Sequence, residues 1–293
     1  MSNRRPSWGL VALVALLSAG VGATVGYRLG WTTHEALQEQ GGDGLVVDRA
    51  SAEAFCQSGT VFEGSLTLTD DETVQGLACL EEVRGDLVVD DQGAVTKLIL
   101  PNLERVTGTI QLGDTTDLQW VSLPALTEVG RDLTVYPNPK LLTLELPALT
   151  AVGDELKVEG NPLCGEARFP ALRTAGSFVL DSNETLAMTE LPELVEVGGF
   201  FDIEANPQLV AVDLPRLTEV RGDFEVREND ALRTVSAPAL REVGGPLWVG
   251  TNAKLEELSL PQLQTIVGRV RLEENPALTG LDLPGYPPEG GTP

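Results

Sequence analysis

The chain has 293 residues, of which 42% are apolar, 44 are acidic and 20 are basic, giving a formal charge of -24. The apolar content suffices for a buried core and excludes general disorder, while the excess of acids and the lack of a basic stripe argue against nucleic acid as a partner. The one histidine, His34, falls outside the repeating region described below, so most acid/base and metal chemistry lacks its commonest side chain.

The first 31 residues direct the chain to a membrane. Two arginines precede an uncharged stretch, Trp8 to Tyr27, which is typical of a cleaved signal peptide or of a transmembrane signal anchor. Val21 and Ala23 have the spacing of a cleavage site, whereas the aromatic residues at both ends favour a membrane span. Both interpretations predict export to the cell envelope or surface, membrane-anchored or secreted. Residues 32–54 lack sustained periodicity and are predicted to be a linker.

The rest of the sequence repeats every 23 residues. Nine prolines recur at intervals of 23, 23, 23, 22, 23, 23, 23 and 23: Pro101, Pro124, Pro147, Pro170, Pro192, Pro215, Pro238, Pro261 and Pro284. With this proline numbered as position 18, positions 4 and 6 are apolar in every copy, while position 5 varies through Thr67, Lys157 and Arg271. Alternation of this kind is typical of a β-strand. Further apolar sets at positions 12, 15 and 17, and at positions 20 and 23, predict two more faces for each coil of a solenoid.

The predicted fold is therefore mainly β, a solenoid of about ten 23-residue coils, with a hydrophobic helix at the N-terminus. The solenoid is predicted over residues 55–286, and residues 287–293 are predicted to be a disordered tail. The proline at position 18 is expected at a corner between faces. Position 9 is asparagine in seven copies: Asn138, Asn161, Asn183, Asn206, Asn229, Asn252 and Asn275. These residues are expected to adopt left-handed backbone angles, and their side-chain amides are expected to form hydrogen bonds between neighbouring coils.

Two of the three cysteines have the spacing of the repeat. Cys56 and Cys79 are 23 residues apart, so they are expected to lie one above the other in neighbouring coils. In an exported protein, we predict that they form a disulfide that closes an N-terminal cap. The cap is predicted to include the amphipathic run Ala50 to Phe55 and the short first repeat from Gly64 to Val83. Cys164 occupies position 12, which is Leu or Val in the other copies, and is predicted to be a buried, unreactive thiol.

The repeat resembles a known family. The unit Gly-x-Leu-x-Val, a turn, then Leu-x-x-Leu-x-Leu-Pro-x-Leu-x-x-Val-x-Gly, preceded by a cysteine-bounded coil, is similar to the receptor L domain, and Val220-Arg-Gly222-Asp-Phe224-Glu-Val226 shows its corner. The resemblance covers residues 56 to about 284. It implies a right-handed solenoid akin to leucine-rich repeats and a role in recognition without catalysis. The chain lacks the cysteine-rich modules and kinase segment of hormone receptors, so their role is not implied. Its regular repeat and short exported format are closer to bacterial surface proteins of this type.

The outward face of the first strand set is the predicted binding surface. Tyr136, Phe200 and Trp248 point outward there as predicted anchors, and Asp202 and Glu225 complete the predicted ligand-binding set. Positions 3, 5 and 7 carry four bases and eleven carboxylates, the latter being Asp86, Asp90, Asp132, Glu155, Glu159, Asp181, Asp202, Glu204, Asp223, Glu225 and Glu273. This face favours a cationic protein or glycan partner. The opposing interpretation is that these side chains only cover the sheet and keep the rod soluble.

No catalytic, cofactor or metal site is predicted. His34 cannot join a Ser/His/Asp triad from the linker, three cysteines do not make a structural zinc site, and the acidic runs Asp70–Glu72 and Asp90–Asp91 match no calcium loop. The predicted function is recognition or structural support at the cell surface, with membrane attachment if the N-terminal segment is not cleaved. Two alternatives remain open at this point: a β-helix enzyme acting on polysaccharide, and a purely architectural spacer of the envelope.

Overall fold

A computed structural model describes residues 48–285, except for the side chains of residues 90–93, and the chain forms a parallel β-solenoid of about nine turns of about 23 residues. The predicted solenoid is thereby confirmed, with about one turn fewer than expected. The predicted signal or anchor at residues 1–31, most of the predicted linker and the predicted tail lie outside the described residues. Within residues 48–285, no helix is both long enough and apolar enough to cross a membrane.

Each coil contributes up to three short strands, numbered β1 to β27 along the chain. The first face consists of β2 (Leu66–Asp70), β4 (Leu87–Ala94), β7 (Ile110–Gly113), β10 (Leu133–Tyr136), β12 (Ala151–Glu159), β14 (Thr174–Asp181), β17 (Phe201–Glu204), β20 (Phe224–Arg227), β23 (Leu247–Gly250) and β26 (Val270–Arg271). The second face consists of β5 (Lys97–Ile99), β8 (Trp120–Ser122), β11 (Thr143–Glu145), β13 (Glu166–Arg168), β15 (Met188–Glu190), β18 (Ala211–Asp213), β21 (Thr234–Ser236), β24 (Glu257–Ser259) and β27 (Gly280–Asp282).

The third face is narrower, and it continues into the first face at β12 and β14. Its separate strands are β1 (Val61–Glu63), β3 (Glu82–Arg84), β6 (Arg105–Val106), β9 (Glu128–Val129), β16 (Glu196–Val197), β19 (Glu219–Val220), β22 (Glu242–Val243) and β25 (Thr265–Ile266). All strand pairs are parallel, with equivalent residues side by side, as Leu133 is with Ile110 and Leu156. The prolines lie in the turns between the second and third faces, as predicted.

The interior is a continuous apolar column, because the side chains at positions 4 and 6 of successive coils lie over one another. Leu133 and Leu156 are completely buried in this column. In the middle of the solenoid the column is aromatic, and the rings of Phe178, Phe201 and Phe224 stack with centroids 5.3 and 5.1 Å apart. A single coil cannot bury these side chains alone, so the contacts between coils provide most of the stability.

The asparagine column forms a ladder of hydrogen bonds inside the turn. Asn206 Nδ2 donates to Leu180 O at 2.9 Å, and Asn206 Oδ1 accepts from Asn183 Nδ2 at 3.1 Å. The predicted bonding between copies is confirmed, but the expected backbone geometry was assigned to the wrong residue. The residue before the asparagine has the positive φ, as in Ala205 (54°) and Glu228 (57°). The chain turns at that residue, and the asparagine side chain that follows points into the interior, where it forms the hydrogen bonds of the ladder.

The N-terminal end of the solenoid is closed by α1 (Arg49–Ser58). Asp48 is the N-cap of this helix, and its carboxylate accepts a hydrogen bond from the Ser51 amide at 2.8 Å. Ala52 of the helix is buried in the core. The amphipathic run Ala50 to Phe55 thus belongs to the cap, as predicted, and the predicted linker, which reaches residue 54, extended too far.

A second helix, α2 (Asp71–Gly76), covers the free edge of the second face. The Asp71 carboxylate accepts hydrogen bonds from the main-chain amides of Thr96 at 2.8 Å and Lys97 at 3.0 Å, where β5 begins. Burial acts to raise the pKa of Asp71, but the hydrogen bonds outweigh it and hold the pKa below its ordinary value. The acidic run Asp70–Glu72 thus has a structural role in the cap.

Cys56 and Cys79 form the predicted disulfide, with their Cα atoms 5.6 Å apart. The bond ties α1 to the residues that follow α2 and strengthens the cap. Cys164 is a free thiol buried in the core, as predicted. Burial raises the pKa of this thiol to about 11, so it is protonated and unreactive at neutral pH.

Thiol labelling checks both assignments. We expect the native full chain to show no reactive thiol, the denatured chain to show only Cys164, and reduction to expose the other two. The double variant Cys56→Ala/Cys79→Ala is expected to lose about 3 kcal/mol of unfolding free energy in urea, because the bond closes a loop of roughly 23 residues. More than one reactive thiol in the denatured, unreduced chain would contradict the disulfide.

Candidate functional site

The predicted surface follows the outward side chains of the first face, which the strand register arranges in straight columns. Asp202 lies beside Glu225, and Glu225 lies beside Trp248, on β17, β20 and β23. Phe200 immediately precedes β17 and belongs to the same coil as Asp202. Tyr136 is on β10, three coils from β17, so the structure brings four of the five predicted residues together and leaves Tyr136 apart.

Trp248 and Tyr136 are not the freely exposed anchors that the sequence predicted. Both are half-buried, because cationic side chains of neighbouring coils lie over their rings. The guanidinium carbon of Arg227 is 4.1 Å from the centroid of the Trp248 ring, and that of Arg271 is 5.0 Å from it. Lys157 Nζ is 5.6 Å from the centroid of the Tyr136 ring. These contacts are cation–π interactions within the protein, which leave less of each ring free for a partner.

Four carboxylates of neighbouring coils, Asp181, Asp202, Glu204 and Glu225, form what we call the acidic strip. Burial, together with the charges of Glu204 and Glu225, raises the pKa of Asp202 to about 7 against the opposing effect of Arg227. Burial also raises the pKa of Asp181 and of Glu204. Ionisation of Asp181, Asp202 and Glu204 is therefore less favourable in the folded protein than in an unperturbed carboxyl group.

The members of the acidic strip differ in their partners. Arg227 Nη2 lies 2.7 Å from a carboxylate oxygen of Glu204 and 2.9 Å from one of Glu225, so both carboxylates are already engaged. Asp202 Oδ1, by contrast, is buried and has no hydrogen-bond partner among the described residues. Of the predicted pair Asp202 and Glu225, only Asp202 has no ion pair with a described residue.

Phe200 is the one predicted anchor that is exposed, with 40% of its surface accessible. It borders an open depression of about 470 Å³, whose lining includes Glu155, Ser177 and Gly198. A second depression of about 280 Å³, lined in part by Gly153 and Gly198, adjoins it at the corner between the third and first faces. We call the first depression the Phe200 groove.

The Phe200 groove results from the one repeat interval that has 22 residues instead of 23. Between Pro170 and Phe178 the corner lacks one residue. The pairing of β12 with β14 consequently shifts register between Val152 and Glu155. Because glycines occupy this corner, no side chain fills the space that the missing residue leaves open.

The second face carries exposed apolar side chains that were missed in the sequence. Trp120 and Met188 both occupy position 14, which is polar in several other coils, and they are 39% and 44% exposed. The large apolar residues at a position that is polar in several other coils could have indicated these exposed side chains from the sequence. No described group of three or more His, Cys, Asp or Glu side chains is arranged to hold a metal ion.

Comparisons of the chain with protein-family models, with curated proteins and with solved structures found no match. The resemblance to the receptor L domain therefore stays a prediction that depends on the residues of the repeat. Function has to be inferred from the geometry of the first face.

Proposed function

We propose that the protein is a non-catalytic recognition protein of the receptor L domain type, which binds a cationic protein through the outward side of its first face. The observation that carries this proposal is Asp202, whose Oδ1 atom lacks a partner and whose pKa is raised to about 7. A partner's ammonium or guanidinium group would supply the missing counter-charge and relieve the repulsion from Glu204 and Glu225. The formal charge of -24 would also speed the encounter with a cationic partner.

The proposed location is the outside of the cell or its envelope. The disulfide between Cys56 and Cys79 supports it, because such bonds persist mainly in oxidising compartments. The uncharged stretch from Trp8 to Tyr27 also supports export from the cytoplasm.

A polysaccharide-cleaving enzyme is the second candidate, and Asp202 is also the observation that favours it. A carboxylic acid with a pKa near 7 is suited to act as a general acid. However, Asp202 is not among the residues that line the two depressions described above, whereas such an enzyme holds its acid in a cleft for the sugar chain. Release of reducing ends from polysaccharide by the full chain, lost in Asp202→Asn, would establish this function in place of recognition.

Calorimetric titration of the full chain with hexalysine tests the proposal. We expect Asp181→Asn/Asp202→Asn to weaken binding by about tenfold at about pH 8, since each lost attraction contributes about 0.7 kcal/mol near the surface. The matched control Asp213→Asn/Glu257→Gln removes the same charge from exposed positions on the second face. It is expected to change the affinity by less than about twofold.

Equal losses in the two double variants would show that hexalysine senses only the net charge, and would contradict the proposal. The spacer alternative has its own test in cells. If the triple change of Tyr136, Phe200 and Trp248 to serine left every surface phenotype intact, the protein would be architectural.

A further inference from the structure

Aromatic side chains on the first face follow a common arrangement, in which a cation lies over the ring and a carboxylate binds the cation. Arg227 lies over Trp248 and pairs with Glu225 at 2.9 Å. Lys157 lies over Tyr136 and forms an ion pair with Glu159. In both cases the cation and its carboxylate come from strands of the same sheet.

Phe200 has a ring and a carboxylate on the same face, the carboxylate lying two coils away instead of one, but no cation. Within residues 48–285, no Lys or Arg side chain lies over the Phe200 ring. Glu155 occupies the same position two coils away, with Ser177 between them in the column. The Glu155 carboxylate makes neither a hydrogen bond nor an ion pair with any described residue, and its half-buried position raises its pKa.

We infer that the Phe200 groove receives an arginine side chain of the partner protein, whose guanidinium group stacks on the Phe200 ring and pairs with Glu155. This inference rests on the proposed function, because it names the place and the chemistry of the contact. The partner's arginine would take the position that Arg227 takes over Trp248 within the chain. The partner would thus supply the cation that the ring of Phe200 lacks within the chain.

The dimensions and chemistry of the groove suit a guanidinium group. Two strand spacings, about 9–10 Å, separate the coil of Phe200 from that of Glu155, and the small side chain of Ser177 leaves the space between them open. The lining includes the carboxylates of Asp154 and Glu155 and no Lys or Arg side chain. Asp154 already has Arg131 at 3.6 Å, which leaves Glu155 as the free acceptor. A planar guanidinium both stacks on a ring and binds a carboxylate through two hydrogen bonds.

The test is a nuclear magnetic resonance titration of the full chain, labelled at glycine, with a blocked Gly-Gly-Arg-Gly-Gly peptide. We expect saturable shifts of Gly176, Gly198 and Gly199, which line the groove, with a Kd of about 1–10 mM. The same peptide with citrulline, the uncharged isostere of arginine, is expected to bind at least about fivefold more weakly.

Three variants locate the contact. Phe200→Leu and Glu155→Gln are each expected to weaken the arginine peptide by about fivefold or more, and Glu155→Gln keeps the shape of a residue whose charge burial disfavours. Gly198→Val should fill the groove and abolish binding. A Cβ atom built on Gly198 meets no other atom closer than 3.5 Å, so the backbone leaves room for a side chain to begin there. Trp120→Leu, on the second face, is the control and should leave binding unchanged.

Each contrary outcome separates the inference from the proposed function. Equal binding of the arginine and citrulline peptides would overturn the inference, and so would an arginine titration that Gly198→Val leaves intact. Shifts of the same glycines by a neutral disaccharide, with none from the arginine peptide, would overturn it in favour of a glycan. In these cases the proposed function would still stand if hexalysine binding depended on Asp181 and Asp202, and it would fall together with the inference if that dependence were also absent.

Discussion

Replacing Asn206 with alanine is expected to lower the free energy of unfolding by about 3–6 kcal/mol, because three buried polar groups each lose a hydrogen bond, at about 1–2 kcal/mol for each. The Asn206 side chain donates to Leu180 O at 2.9 Å and accepts from both the main-chain N and the Nδ2 of Asn183, at 3.2 and 3.1 Å. All three asparagines from Asn183 to Asn229 are completely buried, so water cannot replace these bonds. Urea denaturation followed by circular dichroism of the full chain measures the loss.

An exposed asparagine provides the matched control. Asn102 makes one side-chain hydrogen bond, from Nδ2 to Ala78 O at 2.7 Å, and lies at the surface. Asn102→Ala is expected to cost about 1 kcal/mol or less. A similar small loss for Asn206→Ala would show that the ladder does not hold neighbouring coils together. Asn206→Asp should be as damaging as the alanine change, since it keeps the acceptor oxygens but removes the donor to Leu180 O and buries a charge.

The fold was predictable because its stabilising contacts repeat at a fixed separation. Leu133 packs beside Ile110 and Leu156, each 23 residues away, and selection of apolar residues at that interval is visible in one sequence. The ladder was predictable for the same reason. The left-handed residue was not, because its position is occupied by unlike residues such as Ala205 and Glu228. Their shared backbone angle comes from the turn and leaves no common side-chain signature.

The candidate site was less predictable, since it depends on deviations from the repeat. The outward direction of Trp248 follows from period 2, but its cover by Arg227 depends on which side chain the next coil happens to carry. The single missing residue before Phe178 was visible as a 22-residue interval, yet the groove it opens beside Phe200 required the register of β12 and β14. The raised pKa of Asp202 likewise comes from burial, from the charge of Glu204 on the same strand and from that of Glu225 a full coil away in sequence.

Asp202→Asn is expected to stabilise the protein at about pH 8 by about 2–4 kcal/mol and to flatten the dependence of stability on pH. The pKa of Asp202 is about 7 in the folded protein, against 3.8 for the unperturbed group. Between these values the folded chain binds more protons than the unfolded chain, so stability falls as the pH rises, and the full cost is present above about pH 7. Below about pH 4 both states are protonated and the cost disappears. The raised pKa values of Asp181 and Glu204 act in the same direction.

Urea midpoints of the parent chain, Asp202→Asn and the control Asp213→Asn, taken from about pH 5 to about pH 8, measure this effect. Asp213 is an exposed carboxylate on the second face, so its amide variant should retain the slope of the parent. The parent should be more stable at the acidic end, which is unusual for a protein whose ion pairs need ionised carboxylates. If Asp202→Asn instead lost stability at about pH 8, Asp202 would be held by a favourable contact in its ionised form. The partner proposed to neutralise it would then have no strain to relieve, because the charge that it is meant to balance would already be balanced within the chain.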